Sequence, residues 1–377
     1  MDQIELIATA TFGLEAVVKW ELQNLGYRDL KVENGKVTFK ATEKDIPIVN
    51  LWLRSADRVL LKMGEFEALT FEELFEKTKA LPWEEWITED GEFTVEGKSV
   101  KSKLFSISDC QAIVKKAVVE KLKNKYKREW FEETGPKFTI EVSLLKDIAT
   151  LTVDTSGSGL HKRGYRVHGV EAPLKETLAA ALVQLSYWNE NRLLLDPFCG
   201  SGTIPIEAAM IGKKMAPGLY RNFASEDWPR VKKAYWQEAR REAWDLMKRD
   251  LKLEIIGLDI DNKAIEVAKA NAAYIELDEE IRFIHRDFRK YNYKDEYGVI
   301  ICNPPYGERI GEKEEVKRLY KDMGSIFKTL DTYSIYILTS NEDFERLYGK
   351  KADKRRKLYN GRIKVDYYQY YGPRPLK

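Results

Sequence analysis

The sequence predicts an α/β protein built in two dissimilar halves. An α+β region runs to about residue 159, and a parallel sheet covered by helices on both faces follows from residue 160. Three observations carry this. The strands of the first half alternate apolar and polar residues, the signature of sheets with one wet face. The run Ser156-Gly157-Ser158-Gly159 marks a boundary. After it, short continuously apolar strands alternate with helical stretches, which means a parallel sheet buried on both sides. A chain of 377 residues with 44% hydrophobic composition holds two or three domains at ~150 residues each.

The first element is the alternating run Ile4-Glu5-Leu6-Ile7-Ala8. A helix follows, with Leu14, Val17, Val18, Leu22 and Leu25 on one face and Gly26 as its stop. Val32 and Val37-Thr38-Phe39 flank the Asn34-Gly35 turn signal and predict a hairpin. Beyond about residue 65 come a helix over 70–80, a strand over 93–96, and a helix whose apolar face is Ile113, Val114, Ala117, Val118 and Leu122. The other face of that helix carries Lys115, Lys116, Lys121, Lys123 and Lys125. Strands over 138–144 and 149–154 close the region. In the second half the order is helix 174–188, strand 192–196, helix 203–212, strand 255–259, helix 262–273, and strands 281–285, 298–302 and 334–339. Residues 213–250, rich in Trp, Lys, Arg and Glu, read as a helical insert. The tail tyrosines 359, 367, 368, 370 and 371, at near-alternating spacing, read as final antiparallel strands.

Several classes drop out. No apolar run approaches the ~18 residues of a membrane helix, and Asp2 and Glu5 stand where a signal peptide is positively charged, so a cytoplasmic location is expected. Cys110, Cys199 and Cys302 are far apart, and His161, His168 and His285 form no ligand-spaced cluster with them; no metal site is expected. The net charge is only +2, but it is unevenly spread. Residues 1–97 hold 11 basic and 20 acidic side chains, residues 98–137 hold 11 and 5, and residues 346–377 hold 11 and 2.

The chemistry-bearing residues fall at strand ends. Asp196-Pro197-Phe198-Cys199-Gly200-Ser201-Gly202-Thr203 is a strand tip, a glycine turn and a helix start, placed where open α/β sheets bind ligands. It lacks the Gly-Lys-Ser/Thr ending of a P-loop and the third glycine of the dinucleotide fingerprint. Asp196 repels a pyrophosphate and suits a cationic or hydroxyl-bearing ligand. The next strand ends at Asp259, the position that holds ribose hydroxyls in nucleotide sites. The third ends at Asp287-Phe288, and the fourth at Asn303-Pro304-Pro305-Tyr306. A single acidic tip is ordinarily a helix cap; a series of them on consecutive strands is hard to explain as caps.

These motifs resemble those of class I S-adenosylmethionine-dependent methyltransferases that act on exocyclic amines. The resemblance implies a Rossmann-like C-terminal domain, with Asp196, Gly200 and Gly202 along the methionine and ribose of the cofactor. It places Asp259 at the ribose hydroxyls and Asp287 and Phe288 at the adenine, with Phe198, Thr203, Leu174 and Thr177 completing the cofactor set. An aromatic amine is a weak nucleophile because its lone pair is delocalised. Asn303 and the Pro304 carbonyl would accept its hydrogens, Pro305 would stiffen the turn, and Tyr306 would stack on a flipped base. The signature leaves adenine N6, cytosine N4, guanine N2 and a glutamine amide open. It speaks against carbon-5 pyrimidine chemistry, which wants a cysteine nucleophile; Cys199 and Cys302 read as packing residues.

The first half resembles a THUMP domain, an RNA-binding module, across 95–104, the lysine-faced helix and 151–157. The junction His161-Lys162-Arg163-Gly164-Tyr165-Arg166, with Ala172-Pro173-Leu174-Lys175-Glu176-Thr177, is similar to the entry of THUMP-containing guanine-N2 methyltransferases. The nearest resemblance is to the bacterial 23S rRNA guanine-N2 methyltransferases; where that activity sits in a longer fusion with a second methyltransferase, this chain stops after the first. It implies a ferredoxin-like unit at 1–64, a THUMP domain at 65–159 and a catalytic domain at 160–377. It also implies RNA contacts from Lys101, Lys103, Lys115, Lys116, His161, Lys162, Arg163, Tyr165 and Arg166. The alternatives are the same chemistry on tRNA, an assembly factor with a vestigial catalytic domain, and a DNA amino-methyltransferase, which the lack of a target-recognition domain disfavours.

Overall fold

The computed structural model describes residues 3–166, 174–307 and 313–375. His168, Ala172 and Pro173 of the junction, and Asp2, lie outside them. The chain divides into two compact units: residues 1–10, 18–160 and 222–242 form one, and residues 11–17, 161–221 and 243–377 the other.

The first unit contains β1 (Ile4–Ala10), α1 (Glu15–Asn24, which begins in the residues grouped with the second unit), β2 (Lys31–Glu33), β3 (Lys36–Ala41), α2 (Asp45–Trp52), β4 (Ala56–Glu67), α3 (Phe71–Lys79), β5 (Glu92–Val100), α4 (Ile107–Tyr126), β6 (Lys137–Leu145) and β7 (Ile148–Asp154). They form one seven-stranded sheet in the order β2-β3-β1-β4-β7-β6-β5. The expected boundary at 64/65 falls inside β4. That strand pairs with β1 through Ala56–Lys62 and with β7 through Leu60–Glu67, so the stretches on either side of the expected boundary share a continuous sheet. Cys110, Val114, Val118 and Leu122 of α4 enter the core with Leu6, Ala8, Leu61 and Val153. The lysines between them stay at the surface, as the 3.6-residue period requires.

Residues 222–242 fall within the stretch expected as the 160–377 domain but belong to the first unit. Phe223, Trp228, Val231 and Trp236 are buried in the core of the first unit. Trp228 stacks on Phe138 at 4.9 Å and donates its indole N–H to the Lys137 carbonyl at 3.0 Å. Composition marks an insert, but only packing decides which core its tryptophans fill.

The second unit contains α5 (Glu176–Gln184), β8 (Leu194–Asp196), α6 (Thr203–Gly212), the last turn of α7 (Lys233–Asp245), β9 (Ile255–Asp259), α8 (Asn262–Tyr274), β10 (Ile281–His285), β11 (Val299–Cys302), α9 (Lys313–Phe327), β12 (Ser334–Thr339), α10 (Phe344–Tyr348), β13 (Lys354–Asn360) and β14 (Ile363–Tyr370). The sheet order is β10-β9-β8-β11-β12-β14-β13. The pairs from β10 to β12 are parallel and those of β14 antiparallel. This is a doubly wound, Rossmann-like fold. The strand order reverses at β8, which puts a ligand crevice at its carboxyl end. The tail forms the two antiparallel strands that it predicts, with Tyr359 on β13 and Tyr367, Tyr368 and Tyr370 on β14; residues 365–370 are buried without alternation, and Tyr371 follows the strand, exposed. No helix among the described residues is long and apolar enough to cross a membrane.

Candidate functional site

The parallel strands β8 to β11 all end on one edge, and backbone geometry ties their tips together. After β8 the Phe198 N–H donates to Asp196 Oδ1 at 3.1 Å, the Cys199 N–H to the Leu258 carbonyl at 2.9 Å and the Gly200 N–H to Asp259 Oδ2 at 2.9 Å. Asp259 Oδ1 accepts from the Asp261 N–H at 2.9 Å. The turn needs its glycines: Gly200 and Gly202 take φ of +52° and +82°. A Cβ on Gly202 would also stand 2.9 Å from Phe283 Cζ and 3.0 Å from Ala268 Cβ.

Asp196 is 1% exposed, and among the described residues no cation pairs with it. Burial pushes its carboxyl well above the usual carboxylate range; the Phe198 N–H opposes this, and the charge of Asp259 adds to it. A cationic group nearby would favour its ionised form. Asp287 is held low by Arg289, whose Nε and Nη2 grip it at 3.0 and 2.6 Å. Arg289 also reaches Asp322 at 3.1 Å. Phe198 and Phe288 stand 5.0 Å apart and offer an apolar pair to a planar ring.

Beyond β11, Tyr306 donates its hydroxyl to Asn303 Oδ1. Tyr320 of α9 donates to the Pro305 carbonyl at 2.8 Å and lies 2.9 Å from Thr339 Oγ1 at the end of β12. The proline turn is thereby fixed to a helix and to a neighbouring strand end. An open cavity of about 420 Å³ joins these parts. It is lined by Pro197, Phe198, Asp259, Ile260, Asp287, Phe288, Arg289, Asn303, Pro304, Pro305, Tyr306, Leu319, Asn360 and Ile363. Cys199 and Cys302 are buried, and burial drives both thiols well up. Neither has the thiolate character of a nucleophile. Among the described residues no group of three or more His, Cys, Asp or Glu side chains is placed to hold a metal.

Of the residues expected at the cofactor and the amine, Phe198, Asp259, Asp287, Phe288, Asn303, Pro304, Pro305 and Tyr306 line this one cavity. Asp196, Gly200 and Gly202 build the turn beside it. Thr203 and Thr177 are buried, and Leu174 lines a second cavity of about 440 Å³ with His161, Lys162, Arg163, Gly164, Arg166, Lys175 and Glu176. The second cavity is slightly larger, but the acidic strand tips and the proline turn lie in the first.

The RNA expectation needs correction at the junction. Arg163 is buried and its Nε meets Glu207 at 3.3 Å; Tyr165 is buried and donates to the same carboxylate at 3.2 Å. Arg166 binds Glu176 at 2.9 Å, the Leu174 carbonyl at 3.2 Å and Thr203 Oγ1 at 3.3 Å. These side chains stitch the junction to α5 and α6 rather than face a polyanion. A positive run in sequence does not reveal that carboxylates from two later helices neutralise it. Lys162 is exposed and His161 half-buried. Burial, with Lys175, Lys162, Arg163 and Arg221 nearby, lowers the imidazole to about 4. In the first unit Lys101, Lys103, Lys115 and Lys116 are exposed, with the last two ammoniums over the rings of Phe93 and Phe75.

The sequence reading missed Arg289, Leu319, Tyr320, Asn360 and Ile363. Arg289 had a signal, since a basic residue two positions after a strand-tip Asp can chelate it. Asn360 and Ile363 had none, being more than fifty residues from the proline turn.

Comparison with known proteins gives three domain matches: the RMKL-like methyltransferase domain over residues 163–369, the RlmL ferredoxin-like domain over 5–60 and the THUMP domain over 68–154. YpsC of Bacillus subtilis (strain 168), provisionally named an RNA methyltransferase, is 54% identical over 98% of this chain and 97% of its own. The Ribosomal RNA large subunit methyltransferase K/L of Syntrophotalea carbinolica is 34% identical over 96% of this chain, which spans 52% of that longer protein. The crystal structure of SMU.472, provisionally named a methyltransferase and complexed with SAH, superposes with a TM-score of 0.95 at 47% identity over the full length of both chains.

Proposed function

The chain belongs to the RMKL-like methyltransferase family and uses S-adenosylmethionine, and from that premise we propose that it methylates the exocyclic N2 amine of a guanine in large-subunit (23S) ribosomal RNA. The observation that carries this reading is that Asn303-Pro304-Pro305-Tyr306 lines the same cavity as Asp259 and Asp287. The cofactor, when bound, supplies an electrophilic methyl group on a sulfonium. When it is bound, Asp259 would hold the ribose, Asp287 and the Phe198–Phe288 pair would take the adenine, and Asp196, buried behind the glycine turn, would be the carboxyl that a positive charge nearby ionises.

Asn303 Oδ1 and the Pro304 carbonyl accept the two amine hydrogens and so turn the nitrogen lone pair toward the methyl group. Tyr306 leaves its bond to Asn303 and stacks on the extruded base. Tyr320 keeps the turn rigid through the Pro305 carbonyl, so little reorganisation is left for the transfer step. The proton leaves to water afterwards, and no covalent enzyme intermediate forms. Lys101, Lys103, Lys115 and Lys116 supply phosphate contacts on the THUMP side, and Lys162 on the catalytic side.

The test is nucleoside mass spectrometry of rRNA and tRNA from a strain lacking the gene, before and after treatment with the purified protein. N2-methylguanosine restored to 23S rRNA supports the reading. Its appearance in tRNA alone moves the substrate to tRNA, N6-methyladenosine overturns the base, and cofactor affinity without any transfer points to a vestigial catalytic domain.

A further inference from the structure

We propose that the turn between β13 and β14 reads the target base, with the Asn360 side chain on its hydrogen-bonding edge and Ile363 as an apolar wall for its ring. This rests on the base-methylation reading given above.

The first support is register. The last pair between β12 and β14 is Thr339 with Asp366, yet β14 begins at Ile363. The hairpin therefore outruns the carboxyl end of β12 by three residues, or ~10 Å at about 3.4 Å per residue. It does so on the edge where the cavity opens. Asn360 and Ile363 are its closing pair, joined by Gly361 and Arg362 with Gly361 at φ +62°.

The hairpin is anchored: Leu358 and Val365 are 1% and 0% exposed, Arg355 pairs with Asp366 at 2.5 Å, and Tyr359 meets Phe12 edge-on at 5.9 Å. A turn held this way presents its side chains in fixed positions. What it presents is unspent. The Asn360 amide makes no hydrogen bond among the described residues, and Ile363 is a 38% exposed aliphatic at a cavity wall.

Sheet order says which part of the ligand these residues meet. Asp259 and Asp287 follow β9 and β10, on one side of β8; the proline turn and the hairpin lie on the other. The nucleoside end of the cofactor belongs to the first side, which leaves the base being methylated for the second. A guanine whose N2 is held at Asn303 presents its N1–H donor and then its O6 acceptor along the adjoining edge. A carboxamide offers the matching acceptor and donor. The amide can turn over to suit other bases, so the informative isostere is aspartate, which offers acceptors only and faces O6 with a charge.

The experiment uses the full-length protein, labelled S-adenosylmethionine and total RNA from a strain lacking the gene. Asn360→Ala should lower kcat/KM for RNA tenfold to a hundredfold, as expected for losing ~1–3 kcal/mol of bidentate base contact. Cofactor affinity by calorimetry and the melting temperature should stay at wild-type values. Asn360→Asp should fall further, Ile363→Ala should lose several-fold, and Ile363→Leu should recover. Wild-type kcat/KM in both Asn360 variants, or a loss that appears wholly in cofactor affinity, overturns the inference. If the wild-type enzyme methylates a base other than guanine, the guanine reading fails separately, and the role of Asn360 is still decided by kcat/KM for that base.

Discussion

At the residue scale, Asp196 and Asp259 are two carboxylates given different tasks by their surroundings. Asp259 is oriented by two backbone N–H groups and faces the cavity, whereas Asp196 is buried with a single N–H on Oδ1. On the proposed reading, in which Asp259 takes the ribose hydroxyls, Asp259→Ala should weaken cofactor affinity by roughly tenfold or more, measured by calorimetry with the fold intact by circular dichroism. Tyr320→Phe removes the hydroxyl that holds the Pro305 carbonyl. It should reduce kcat with little change in cofactor affinity, and equal losses in both would assign Tyr320 to packing instead. His161 provides a pH signature. Its imidazole is held at about 4 by burial and four neighbouring cations, below the ~6.5 of an unfolded chain. Between those values the unfolded state binds the extra proton, so this contribution is present above pH 6.5 and is lost as pH falls toward 4. The stability–pH curve of His161→Asn should be flatter in that window, and an identical slope would show that the imidazole is not the cause.

At the element scale, the glycine turn before α6 is fixed by space as much as by backbone. Gly202→Ala places a Cβ against Phe283 and Ala268 at a left-handed φ, so the β8–α6 turn must shift. Cofactor affinity should fall even though no functional group is removed, whereas Gly361→Ala, which meets nothing within 4 Å, should mainly strain its own turn. The lysine face of α4 and the loop at Lys101 and Lys103 belong to this scale as well. Charge reversal at Lys101 and Lys103 should flatten the salt dependence of RNA affinity by ~0.7 per lost contact in a log–log plot for a single strand. Cofactor affinity should not change; an unaltered slope would place the phosphate surface elsewhere. These elements were readable beforehand. The α4 period, the Asn34-Gly35 hairpin and the acidic strand tips are local patterns, and each lies where its spacing requires.

At the scale of the whole molecule, the informative segment is 222–242, which leaves the catalytic stretch of sequence to fill the core of the first unit. Trp228→Ala removes a fully buried ring stacked on Phe138. It should cost ~3–5 kcal/mol in that core, read as a lowered unfolding temperature by calorimetry, and an unshifted melt would mean that the segment is not integral to it. The sequence by itself determined the parallel sheet, the strand tips that carry Asp196, Asp259, Asp287 and Asn303, and the amphipathic lysine helix, because side-chain period and turn chemistry act between near neighbours. Only the tertiary structure decided that Arg163 and Tyr165 are consumed by Glu207, that β4 carries one sheet across an expected domain boundary, and that Asn360 and Ile363 wall the cavity beside Tyr306. The physical reason is that burial, ion pairing and strand register depend on which distant residues meet, and nothing in local periodicity encodes those partners.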